Sequence, residues 1–178
     1  KNIALNKSRI AFIDVLKMMG GKISVKKTKT VSGENVGDIK VTYSLLKSLK
    51  IKASLSPYLI DEYPILSIAA SQAKGLTVMR GLSELRHKES DRIKSIITNL
   101  SRIGFKVVSK KDDIYIKGSN KLQIINPKKI KTYGDHRIAM SFIILSLRFK
   151  SKLIIDDESC ISISYPDFKK HLKKLSIH

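Results

Sequence analysis

Three short runs of this 178-residue chain bring ionisable side chains together at spacings suited to proton transfer on an anionic ligand. Glu84-Leu85-Arg86-His87-Lys88-Glu89-Ser90-Asp91-Arg92 packs seven such groups into nine positions and runs straight into an apolar series at Ile93, Ile96, Ile97, Leu100 and Ile103. Gly134-Asp135-His136-Arg137 precedes the most apolar stretch of the chain, and Asp61-Glu62 precedes Tyr63-Pro64-Ile65-Leu66. Carboxylates hold and release protons, and planar guanidinium forks match the oxygens of carboxylates and phosphates. A helix start adds free N–H groups and the positive end of the macrodipole, both of which favour an anion. Mixed acids and arginines at several helix starts therefore suit holding a small polyanion and moving protons on it. Against this stands a plain surface ion pair between Glu89 and Arg92, common at i,i+3 and contributing roughly 0.2 to 0.5 kcal/mol. The second and third charged helix mouths shift the balance toward a cleft.

The elements that must position these groups follow from periodicity. The isoleucine seam predicts a helix beginning near Glu89, with Glu89 and Arg92 continuing the buried face and Asp91, Ser95, Thr98 and Arg102 on the outer one. Asp135 is placed to cap an apolar helix from Arg137, and Pro64 suits the first turn of a helix over 61–73. Upstream, Ser8 is placed to cap a helix over 9–19 with Phe12, Leu16 and Met19 on one face, ended by Gly20-Gly21. Strands at 22–25 and 38–44 then flank a hairpin loop over Val31-Ser32-Gly33-Glu34-Asn35. Helix, strand, strand returns over 89–117, with a turn at Lys111-Asp112-Asp113. A second plan, apolar helix, strand, polar loop, helix, occurs over 61–103 and again over 135–175, where Pro166 opens a helix with Phe168, Leu172 and Leu175 at helical spacing. These echoes predict an internal duplication of an α/β unit whose first helix, apolar all round, is buried in both copies.

Composition narrows the classes. The apolar content is that of a globular chain able to bury a core without disulfides or a structural metal. The apolar run from Ile138 is about half of the roughly 20 residues that a membrane-spanning helix needs, so no membrane partner is expected. The lone Cys160 suits a reducing compartment and a buried position. A formal charge of +20 attracts polyanions. Most of that excess is lysine scattered through every segment, with no basic arm, so a solvated surface is expected and no nucleic-acid partner. Asp156-Asp157-Glu158 is expected to be a solvated loop rather than a metal site, and His87, His171 and His178 show no ligand spacing. The chain starts at Lys1 without an initiator methionine, and the expectation is that it begins inside a longer polypeptide.

Four stretches together resemble the carboxyl-terminal part of the 3-phosphoshikimate 1-carboxyvinyltransferase (EPSP synthase) family, over residues from about Leu5 to about Leu175. They are Leu59-Ile60-Asp61-Glu62-Tyr63-Pro64-Ile65-Leu66, the run from Glu84 to Arg92, Gly134-Asp135-His136-Arg137-Ile138-Ala139-Met140, and Ser164-Tyr165-Pro166-Asp167-Phe168. Lys-Glu-Ser-Asp-Arg and Asp-His-Arg-Ile-Ala-Met, in this order and at this separation, are the specific part of the signal. The resemblance implies an α/β fold, an incomplete inside-out barrel of repeated βαβαββ units with buried helices and outer sheets. Residues 1–178 would be most of the carboxyl-terminal domain of a two-domain enolpyruvyl transferase, with the amino-terminal domain absent and the piece alone inactive. The implied reaction moves the enolpyruvyl group of phosphoenolpyruvate to the 5-hydroxyl of shikimate 3-phosphate by addition and elimination, releasing phosphate without metal or organic cofactor. A cytoplasmic location and a monomer, when complete, go with it.

By resemblance, Asp61 binds the shikimate hydroxyls and accepts a proton, Glu89 handles the proton at the methylene carbon, Lys88 assists at shikimate 3-phosphate, and Arg92 and Arg137 clamp phosphoenolpyruvate. His136 and Glu84 carry no assigned role. Many family members have a lysine where this chain has Ile163. One branch lacks it, and Gly33-Glu34-Asn35-Val36-Gly37-Asp38 with Asp61-Glu62-Tyr63-Pro64 resemble that branch. The rival readings are UDP-N-acetylglucosamine enolpyruvyl transferase, which shares the fold, and a basic nucleic-acid-binding module.

Overall fold

The computed structural model describes residues 1–119, 121, 123–124, 126–149 and 152–175. The chain opens with β1 (Ile3–Ala4), α1 (Lys7–Met18), β2 (Lys22–Val31) and β3 (Glu34–Thr42), and the strands form a three-stranded antiparallel sheet in the order β1-β3-β2. Its hairpin is tighter than expected. Only Ser32 and Gly33 form the turn, both at positive φ (48° and 82°), so Val31, Glu34 and Asn35 belong to the strands. A two-residue turn with this twist matches the right-handed twist of paired strands. Ser8 lies inside α1, which begins at Lys7, rather than at its cap. Met19 just beyond the helix is fully buried, with Phe12 and Leu16 packed against the core.

The expected duplication takes the form of two parallel strand pairs, each bridged by an apolar helix. In the first, β4 (Lys50–Ile51) is followed by the short α2 (Ser56–Leu59) and then α3 (Tyr63–Gln72), which leads into β5 (Gly75–Met79), parallel to β4. Then come α4 (Arg92–Ile103), β6 (Lys106–Lys110) and β7 (Asp113–Gly118), giving a sheet in the order β4-β5-β7-β6. In the second, β8 (Lys128–Ile130), α5 (His136–Arg148) and β9 (Leu153–Ile155) repeat the parallel pair, followed by α6 (Ser159–Ser164) and α7 (Phe168–Leu175). The elements α2, α6 and β4 were not expected, because two to six residues are too few to show a period.

α3 packs against α4, α5 and β7, which puts helices in the interior and sheets outside them. It is buried almost all round, and its Ser67 and Ser71 can be buried because their hydroxyls donate to the carbonyls of Pro64 (2.6 Å) and Ile68 (2.7 Å). α5 departs from the expectation: Ile138, Ala139, Ser141, Phe142 and Leu145 are buried, but Leu147 is 52 % exposed. Leu175 is likewise exposed, so α7 anchors mainly through Phe168, which joins Ala139, Cys160 and Ile161 in a second small cluster. Among the described residues, no helix is long and apolar enough to cross a membrane.

Candidate active site

Three chain segments meet around one guanidinium. α4 is opened by Asp91, whose Oδ1 accepts from the backbone N–H of Lys94 at 2.9 Å, and closed by Gly104 at φ 114°, a left-handed cap that glycine adopts without steric cost. Arg92 is therefore the first residue of the helix, and Glu89 lies before it instead of within it. Arg86, in the turn Ser83–His87, ties this mouth to the β6–β7 turn. Its Nε donates to Asp112 Oδ1 at 3.0 Å and its Nη2 to the carbonyl of Lys111 at 2.8 Å, while Nη1 lies 3.4 Å from Asp91. Ser95, expected on the outer face, is buried because its hydroxyl donates to the Asp91 carbonyl and neighbours that of Ser90.

Asp135 opens α5 in the same manner, and one of its oxygens, Oδ1, accepts from the backbone N–H groups of Arg137 (2.9 Å) and Ile138 (3.3 Å). The loop that delivers it is held from several sides. Asn99 of α4 makes two hydrogen bonds to the backbone of Lys131 (2.8 and 2.9 Å), and Asp156 Oδ1 accepts from both the N–H and the hydroxyl of Thr132, each at 2.9 Å. The loop then passes through two left-handed residues, Tyr133 (φ 56°) and Gly134 (φ 72°). Asp156 is thus a structural clamp, and no group of three or more metal-ligating side chains occurs among the described residues.

Arg92 donates along all three edges of its guanidinium: Nε to Asp135 Oδ2 at 2.8 Å, Nη1 to Asp61 Oδ1 at 2.9 Å and Nη2 to Glu89 Oε2 at 2.6 Å. Its side chain is only 1 % exposed, and Asp135 is fully buried. A lone buried guanidinium is costly, but a planar fork with charged partners on every edge offsets that cost. Burial pulls the Arg92 pKa down, yet the hydrogen bond and charge of Asp135, with Asp61 and Glu89, more than restore it. Asp61 and Glu89 are each about half exposed (45 % and 48 %) and reach the guanidinium from the solvent side. The second arginine differs: Arg137 stays 29 % exposed, donates through Nη1 to the Asp61 carbonyl at 2.9 Å and lies 3.5 Å from Glu62 and 3.7 Å from Asp61 Oδ2. Burial pushes the Asp61 carboxyl up, but the Arg92 hydrogen bond and the charges of Arg137, Arg92 and Lys88 outweigh it and hold the group below its ordinary value.

Hollows surround this centre. One of about 220 Å³ runs from Asp61, Glu62 and Arg137 to Met140, Ile144, Tyr165 and Phe168. Another of about 250 Å³ is lined by Glu89, Ser90, Asp91, Lys94, Ser95 and Tyr133. A third of about 280 Å³ holds Lys88 and Glu84 with Ser56, Pro57 and Gly81. The arrangement offers an accessible cation, two half-exposed carboxylates of which one is held ionised, and a positive hub beneath them.

Comparison with known proteins assigns the chain to a family. The family model described as EPSP synthase (3-phosphoshikimate 1-carboxyvinyltransferase) matches residues 1–172. The chain belongs to the EPSP synthase family. It is 43 % identical to a 3-phosphoshikimate 1-carboxyvinyltransferase of Sulfurihydrogenibium sp. over 99 % of its own length, and 41 % identical to one of Petrotoga mobilis over 98 %. It spans about 40 % of the length of each of these relatives. An EPSP synthase structure from Acinetobacter baumannii superposes with a TM-score of 0.89 at 34 % identity, covering 97 % of this chain and 40 % of that one. The enolpyruvyl transferase NikO from Streptomyces tendae shares the fold, with a TM-score of 0.66 at 18 % identity over 92 % of this chain and 34 % of its own.

Within this EPSP synthase-family fold, the structure brings Asp61, Glu89, Arg92 and Arg137 to one centre. Lys88 lines the neighbouring hollow and is near enough to act on Asp61 electrostatically. His136 is half-buried at the first turn of α5, and Ile163, at the end of α6, is 86 % exposed. His178 lies outside the described residues. Sequence reasoning missed Ser90, whose hydroxyl donates to Asp135 Oδ2 at 3.1 Å, and the second role of Asp135. The cap was readable from its place before an apolar helix, but the partner 43 residues away left no local signal. It also missed Tyr165 as a wall of the first hollow, although that residue lies within one of the matching stretches.

Proposed function

We propose that this chain forms the carboxyl-terminal-domain wall of an enolpyruvyl transferase site that joins phosphoenolpyruvate to the 5-hydroxyl of shikimate 3-phosphate. The observation that carries this reading is the junction of Asp61, Glu89 and Asp135, from three separate segments, on one guanidinium beside the accessible Arg137. Addition requires a base for the acceptor hydroxyl and an acid for the methylene carbon. Asp61, held ionised by two arginines, takes the hydroxyl proton as its oxygen bonds to C2 of phosphoenolpyruvate, and Glu89 gives a proton to C3. Elimination returns a C3 proton to Glu89 while the C2–O bond to phosphate breaks, and the proton held by Asp61 leaves with the phosphate. Arg137 holds carboxylate and phosphate oxygens, Arg92 stabilises the charge on this side of the adduct, and Lys88 neutralises shikimate 3-phosphate. The rest of the polypeptide, with its amino-terminal domain, closes the other wall, and the whole works as a cytoplasmic monomer. The test is phosphate release by the complete polypeptide with phosphoenolpyruvate and either shikimate 3-phosphate or UDP-N-acetylglucosamine. Turnover with shikimate 3-phosphate alone is expected; turnover only with the nucleotide sugar, or with neither, overturns the reading.

A further inference from the structure

We propose that Asp135 is a positioning residue for the two proton-handling carboxylates: its buried carboxylate anchors the Nε edge of Arg92, so that the guanidinium's two remaining edges hold Asp61 and Glu89 in a common plane. The proposal rests on the reading of this centre as a proton-transfer site. Its geometry does not.

Asp135 divides its two oxygens between two tasks. Oδ1 caps α5 through the N–H groups of Arg137 and Ile138, which fixes the backbone of the accessible arginine, and Oδ2 holds Arg92 Nε and Ser90 Oγ. One fully buried side chain thus joins the start of α5 to the start of α4. Of the three partners of Arg92, Asp135 alone has no access to water, so Asp61 and Glu89 can exchange with ligand oxygens while Asp135 cannot. A guanidinium fixed on its Nε edge has its plane set, and that plane determines where the two solvent-side carboxylates sit.

Charge follows from the same contacts. Arg92 shares its attraction among Asp135, Asp61 and Glu89. Around these lie Arg137 and Lys88, which act on Asp61; Glu62, which pairs with Arg137; Asp91, paired with Arg86; and the Cys160 thiol, on which Asp135 acts. Neutralising Asp135 removes one negative charge from this set and leaves Arg92 to the other two carboxylates. Both must then hold their protons less tightly.

The direct test is a carboxyl-carbon NMR titration of Asp61 and Glu89 in this chain carrying Asp135→Asn or Asp135→Ser, both of which keep a cap acceptor for α5. Midpoints of both residues are expected to fall by roughly one pH unit. Asp91→Asn, which keeps the α4 cap and faces away toward Arg86, should leave them in place. Unmoved midpoints in folded Asp135 variants overturn the proposal. Should both variants fail to fold, the unsubstituted chain decides: the Arg92 Nε–H is expected to exchange with solvent at least a hundredfold more slowly than that of Arg137, and equal rates overturn the anchor. In the complete enzyme, Asp135→Asn should lower kcat about tenfold and move the alkaline limb of its pH profile down by the same unit. A uniform loss without that movement contradicts the positioning role. A complete enzyme that does not join phosphoenolpyruvate to shikimate 3-phosphate removes the functional reading, while the titration still judges the anchor.

Discussion

The two arginines at the two helix mouths stand close together and live in different solvents. Arg92 is sealed, with a carboxylate on each edge, whereas Arg137 is 29 % exposed and spends one edge on a backbone carbonyl. Identical side chains at the starts of two different helices, α4 and α5, have therefore been divided, one to organise carboxylates and the other to meet what enters from solvent. Burial decides which is which. An anion can approach Arg137 directly, but it reaches Arg92 only by taking the place of Asp61 or Glu89.

This contrast can be broken experimentally. Arg92→Ala strands three carboxylates, one of them fully buried, and should destabilise the chain by about 3 to 5 kcal/mol in urea unfolding. Arg137→Ala should cost under about 1 kcal/mol in the same measurement, because its pairs are solvated. Equal losses would erase the distinction. Ligand binding should reverse the order of sensitivity: in the complete protein, Arg137→Lys should weaken phosphoenolpyruvate binding about tenfold, close to 1.4 kcal/mol, because an ammonium cannot reproduce a bidentate fork. Its unfolding midpoint should barely move. Acid offers a smaller effect. The Asp61 carboxyl is depressed in the folded state, so its contribution is fully present above the ordinary aspartate range and is lost as pH falls through the lower folded value. Asp61→Asn should therefore flatten the acid side of the stability curve, which thermal unfolding at stepped pH will show. Away from the two arginines, Asp91→Ala should remove about 1 kcal/mol by uncapping α4 and leave the carboxylate titrations in place.

Much of this arrangement could be read along the chain. The isoleucine seam after Arg92, the Asp135 cap, Pro64 in the first turn of α3 and the glycine after Ile103 are local rules, and each marks an element that the structure contains. The duplication was legible too, since helix and strand periods alternate in the same order twice. What stayed hidden depends on contacts distant in sequence. The isoleucine seam placed Arg92 on the buried face, but nothing near it names the carboxylates 31 and 43 residues away that make its burial possible. Periodicity placed Glu89 inside α4, but Asp91 stops the helix short by accepting from Lys94. The hydroxyl of Ser95 similarly turned an expected outer position into a buried one.

The central claim is that carboxylates gathered on Arg92 move protons during enolpyruvyl transfer, and Glu89→Gln in the complete polypeptide tests it most directly. Steady-state phosphate release from phosphoenolpyruvate and shikimate 3-phosphate should show kcat reduced by about 10² to 10⁴ with KM changed little, since the amide keeps the shape of the side chain and loses the proton. A variant that turns over at close to the parent rate contradicts the account.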